Sequence, residues 1–116
     1  MSEKTNENMN QLLSIFSTVI KANDYITFAY SSLEDHWYYL EAKSGDEYDI
    51  LETVPDIQYA YDKMIGECKY YWLNKNSLVD SELSTEENIN ALSNENKERL
   101  NTFLQDYINK SKQFLS

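Results

Sequence analysis

The apolar positions near the start of the chain fall three and four residues apart. Met9, Leu12, Ile15, Phe16, Val19 and Ile20 therefore share one face of a helix, and the spacing predicts a helix over 5–22. Asn23 and Asp24 predict a corner, because their short side chains bond the local backbone more readily than they fit a helix interior. A wide stripe of Ile57, Tyr61, Met64, Ile65, Cys68, Tyr71 and Trp72 predicts a helix over 55–75. Its start is marked by Thr53, by Pro55, which the first turn tolerates, and by Asp56, which the helix dipole favours. Residues 76–83 carry no period and read as a loop. Ser84 with Glu87 then makes a capping box that opens a last helical stretch over 85–115, interrupted where the polar run 93–99 breaks its stripe.

Two templates fit residues 25–52. As a helix over 25–43, Phe28, Ala29, Leu33, Trp37 and Leu40 share a face, Ser31 and Glu34 supply a capping box, and Gly45 ends the helix in the left-handed conformation. As a meander, Ile26, Phe28 and Tyr30 alternate, and 36–42 pairs with 46–52 across Lys43, Ser44 and Gly45, whose glycine suits a G1 bulge. That pairing sets Leu40 opposite Tyr48 and Tyr38 opposite Ile50 on one apolar face. The helix is the preferred template. The expected fold class is mainly α, a compact bundle of about four helices; the alternative is α+β, with a small antiparallel meander at 26–52 packed on three helices.

Length adds that the 116 residues form a single domain, too few for two independent cores. Hydrophobic residues are 41% of the chain, and 10 Tyr, 4 Phe and 2 Trp add large buried area per residue, so a core is within reach. The 20 acids against 10 bases give a net charge of −10, which repels phosphate backbones and anionic lipid. Direct nucleic-acid and membrane binding are thus disfavoured. No long apolar run or signal-like N-terminus is present, and the single cysteine forms no internal disulfide; the expected compartment is the cytoplasm.

Candidate chemistry changes this picture little. With only Gly45 and Gly66, the chain lacks the glycine-rich loops that cradle phosphates or dinucleotides, and no nucleophile elbow occurs. The lone histidine, His36, reads as a surface residue, and Cys68 falls inside an apolar stripe as a small core hydrophobe. Neither the di-iron, zinc nor EF-hand ligand spacing is met, so no catalytic residue, metal or cofactor is expected.

Residues 34–56 stand apart. Glu34, Asp35, Glu41, Asp46, Glu47, Asp49, Glu52 and Asp56 face a single base, Lys43, for a local charge of −7, and Trp37, Tyr38, Tyr39 and Tyr48 lie among them. Acids steer a basic partner and aromatic rings supply contact area. The candidate partner-binding residues are therefore those eight acids with Trp37 and Tyr48. The expected function is that of a non-enzymatic inhibitor occupying a basic surface of another protein, in the manner of a DNA mimic, a phage counter-defence protein or a toxin-immunity protein. The alternative is a homodimeric structural or regulatory domain built through the Tyr-rich face of the 55–75 helix.

Overall fold

The computed structural model describes residues 3–22, 26–42 and 48–115. The chain is mixed α+β rather than a four-helix bundle. Its described elements run α1 (Glu3–Ile15), α2 (Ser17–Ala22), β1 (Ile26–Ser31), β2 (His36–Ala42), β3 (Tyr48–Val54), α3 (Ile57–Lys75), α4 (Thr85–Asn90), α5 (Asn94–Ser111) and a 3-10 turn, Lys112–Phe114.

The helix expected over 25–43 is replaced by β1 and β2, and β3 completes an antiparallel sheet of order β1-β2-β3. The reason lies in side-chain shape and period. β-branched and aromatic residues dominate these segments and suit a pleated surface. Alternation sends Ile26, Phe28, Tyr30, Trp37, Tyr39 and Val54 to one side, where they join the core. The misleading capping signal is used by a turn instead, in which the Glu34 N–H donates to Ser31 Oγ at 3.3 Å. Asp35, at φ 55, then closes that turn in a left-handed conformation that a continuing helix does not contain. The pairing between β2 and β3 also differs from expectation: Leu40 lies opposite Ile50 and Tyr38 opposite Thr53, because a bulge shifts the register between Tyr39 and Leu40. The corner at Asn23 and Asp24 and the turn through Lys43, Ser44 and Gly45 lie outside the described residues.

The first helical stretch is interrupted at Phe16, whose N–H bonds the Leu13 carbonyl at 3.1 Å, one residue tighter than an α-turn. The apolar stripe survives the break, and Met9, Leu12, Phe16 and Val19 are all fully buried. α3 begins at its N-cap Asp56, which accepts from the Tyr59 N–H at 2.9 Å, and buries Ala60, Met64, Cys68, Trp72 and Leu73. Its end is a Schellman turn: Leu78 N–H reaches the Leu73 carbonyl at 2.8 Å and Ser77 N–H the Asn74 carbonyl at 3.1 Å, with Ser77 at φ 57. The loop after it is held by the buried Asn88, which accepts from Asp80 N–H and donates to the carbonyls of Asp80, Leu83 and Ser84.

The expected capping box of Ser84 and Glu87 opens α4. The polar run divides the final stretch as anticipated, since Ser93 caps α5 by accepting from Asn96 N–H at 3.2 Å. α3 is the hub, packed against α1, α2, α4, α5 and β3. Stacked rings tie the helices together, with Phe16 and Tyr107 centroids 5.3 Å apart and those of Tyr71 and Phe103 6.1 Å apart.

Candidate recognition surface

The acids singled out in the sequence do not form one face; they gather at separate places around the sheet. At the β1–β2 turn, Glu34 accepts a hydrogen bond from the Tyr38 hydroxyl, and Asp35 accepts one from Tyr30 at 2.5 Å. Tyr38 points away from the core and Tyr30 toward it, so the two carboxylates are carried on opposite sides of the sheet. Both tyrosines have their pKa raised above 10.0, chiefly by the hydrogen bond to the carboxylate, so the hydroxyls stay protonated and donating.

At the other end of the strands, Glu41 and Asp49 are exposed and sit directly opposite each other in register. Like charges so placed cost sheet stability. Glu52 is turned toward α3, where Tyr59 donates to it and Lys63 pairs with it at 3.2 Å; Asp56 is the α3 cap. Asp46 and Glu47 lie outside the described residues, as does the side chain of Tyr48.

Trp37 is corrected from surface anchor to core residue. It is only 4% exposed, its indole N–H donates to Asn6 Oδ1 at 2.9 Å, and its ring lies 5.6 Å from that of Tyr30. Tyr39 is likewise buried beside Phe28, and its hydroxyl donates to Glu67 at 3.3 Å.

The sequence reading passed over the hydrophobes that are exposed. Ile50 is 63% exposed on β3, and Leu33, at the tip of the β1–β2 turn, is 94% exposed. Strand alternation places Ile50 with Thr27, Ala29, Tyr38, Leu40 and Thr53 on the sheet face turned away from the helices, and none of them belongs to the core. The meander template had already put Tyr38, Leu40 and Ile50 on one apolar face; it carried no signal for which side the helices would cover.

Cys68 is fully buried, and its thiol is pushed up to about 12, first by burial and then by the charge of Glu67. At neutral pH it keeps its proton and is a poor nucleophile. His36 is exposed on β2, its ring 6.5 Å from that of Tyr38. Among the described residues no group of three or more His, Cys, Asp and Glu is gathered to hold a metal ion, and no helix is long and apolar enough to cross a membrane.

Comparison of the chain with known protein families, curated proteins and solved structures returns no match.

Proposed function

We propose that this protein is a non-enzymatic, acidic binding protein that occupies a basic surface of another protein and so inhibits it. The observation carrying this reading is a charge asymmetry: residues 26–56 hold eight acids and a single base, Lys43. Such a field attracts cationic surfaces over about 10 Å at 0.1 M salt and repels nucleic acid. The Tyr-rich face of α3 gives the homodimer less support, since Tyr59, Tyr61 and Tyr71 pack on their own core.

The test is capture from an extract of the cells that make the protein, at low salt, using the native chain and a variant with Glu41, Asp46, Glu47 and Asp49 all changed to Lys. The native chain is expected to retain a basic protein that elutes as salt rises, and the variant to lose it. Equal capture by the two chains, or none by the native one, refutes the proposal.

A further inference from the structure

A groove of about 390 Å³ lies between α3 and the sheet side that carries Trp37 and Tyr39. Tyr39 lines it from the strands, Asp62, Gly66, Glu67 and Tyr70 from α3, and Glu86 from α4. Two features set it apart from an ordinary surface furrow. The first is space. Gly66 stands in the interior of α3, where alanine is the more favourable residue, and among the described residues nothing lies within 4 Å of where its Cβ would be. Neither helix propensity nor close packing accounts for a glycine there, and its effect is to bare the helix backbone along the groove. The second feature is charge. Burial, and then the charges of Glu67, Glu41 and Glu52, raise the Tyr39 pKa, so carboxylates from α3, β2 and β3 stand around its hydroxyl. Glu41 reaches this side because it lies opposite Ile26, a further wall of the groove, in the β1–β2 register. Lys63 and Lys69 balance two of the acids, pairing with Glu52 at 3.2 Å and with Glu86 at 3.5 Å. With Glu41, Asp62 and Glu67 counted as well, the groove stays net negative.

We infer that this groove seats a Lys or Arg side chain of the basic partner. The inference rests on the proposed binding of a basic protein and names the place where one of its cations is held. The space over Gly66 admits the apolar stem of such a side chain, Tyr70, 39% exposed, offers it a ring, and the carboxylates meet the cation. Charge complementarity selects this occupant. An acidic segment or a phosphate meets net negative charge, and an apolar side chain would strip water from the carboxylates with no cation in return. A second copy of the chain brings its own net charge of −10, so the cation comes from a different protein.

The experiment uses the full chain labelled for NMR and two probes: a short peptide of Gly and Ser with Arg at alternate positions, and the same peptide with citrulline, the neutral isostere, in place of Arg. Sedimentation at low salt is run alongside. The expected result is a monomer that binds the Arg peptide about tenfold or more tightly than the citrulline peptide, with shifts centred on the amides of Gly66, Glu67 and Tyr70. Gly66→Leu fills the groove without changing any charge, so it should weaken the Arg peptide about tenfold with no fall in melting temperature. Asp62→Asn, at an exposed position of α3, is a second variant that removes charge and leaves the space, and about threefold weaker binding is expected from it. Equal binding of the Arg peptide by the native chain and both variants, or shifts centred on Glu34 and Asp35 instead, overturns the groove while leaving the basic-partner reading standing. Equal binding of the two peptides, or binding of neither, overturns the inference and counts against that reading itself. A dimer at low salt whose interface protects the Gly66 amide assigns the groove to a second copy and overturns the inference.

Discussion

The two faces of the sheet are made of similar residues and lead opposite lives. The inner face carries Phe28, Tyr30, Trp37 and Tyr39; the outer carries Ala29, Tyr38, Leu40 and Ile50. Inside, polar atoms find long-range partners: the Trp37 indole meets Asn6 of α1, and the Tyr39 hydroxyl meets Glu67 of α3. Outside, the Tyr38 hydroxyl donates to the carboxylate four residues before it, and Ile50 stays open to solvent. Hydrophobicity therefore does not set the two faces apart; the lack of a helix over one face among the described residues does. An inner aromatic holds the fold together, whereas the outer Tyr38 stays outside the core.

Truncation gives the largest separation between the faces. Trp37→Ala removes a buried ring and leaves Asn6 without its donor, and should cost about 3–5 kcal/mol in urea unfolding. Ile50→Ser on the outer face should stay within about 0.5 kcal/mol. A comparable loss from both changes would mean that the outer face is structural and would dissolve the contrast.

Cys68 extends the comparison into the helical layer. Cys68→Ala should cost about 1 kcal/mol through a small cavity, and native Cys68 should resist thiol reagents. Its pKa is raised in the fold from 9.0 to about 12. The protonated thiol thus contributes stability that is complete below pH 9 and is lost as pH rises toward 12. Unfolding measured across that window should fall less steeply with pH for Cys68→Ala than for the native chain. Parallel curves would show that the thiol ionises as freely in the fold as in the unfolded chain.

Gly66 gives a smaller effect of opposite sign. It lies within α3, on a groove bordered by Tyr39, Lys63, Glu67 and Tyr70, and a Cβ added there meets nothing within 4 Å. Gly66→Ala should raise stability by about 0.5–1 kcal/mol by restricting the unfolded chain and favouring the helix. A melting temperature that falls instead would show that the groove is filled by packing and is not open to solvent.

How much of this was readable beforehand depended on the range of the interactions. The 57–75 helix was legible because its stripe repeats every turn and Asp56 caps it locally. The capping box of Ser84 and Glu87 was legible for the same reason. Residues 26–42 misled because the Ser31 and Glu34 pair is a local motif that serves a turn as well as a helix, and the choice between them is made by packing against α1 and α3. The acids could be counted but not placed. A strand sends neighbouring residues to opposite faces, and the bulge at Tyr39 and Leu40 shifts the pairing, so a small error in register relocates a carboxylate. The partnerships of Trp37 with Asn6 and of Tyr39 with Glu67 span 31 and 28 residues, beyond any local pattern.

The smallest expected change bears most directly on why the strand ends are acidic. Glu41 faces Asp49 across β2 and β3, and Glu41→Lys turns that like-charge pair into an opposite-charge pair. Cross-strand pairing of this kind is worth about 0.2–1 kcal/mol, so the variant should unfold at slightly higher urea, and the gain should shrink as salt rises. The same change removes a carboxylate from the sheet side that carries Trp37 and Tyr39 and puts a cation in its place. Association with a basic partner should therefore slow at low salt, while dissociation changes less, because exposed charges act mainly on encounter. A variant that is more stable yet slower to associate would show that the acid at this position serves recognition at some cost to the sheet. A variant that gains stability and binds as fast as the native chain would place Glu41 outside the contact with the partner.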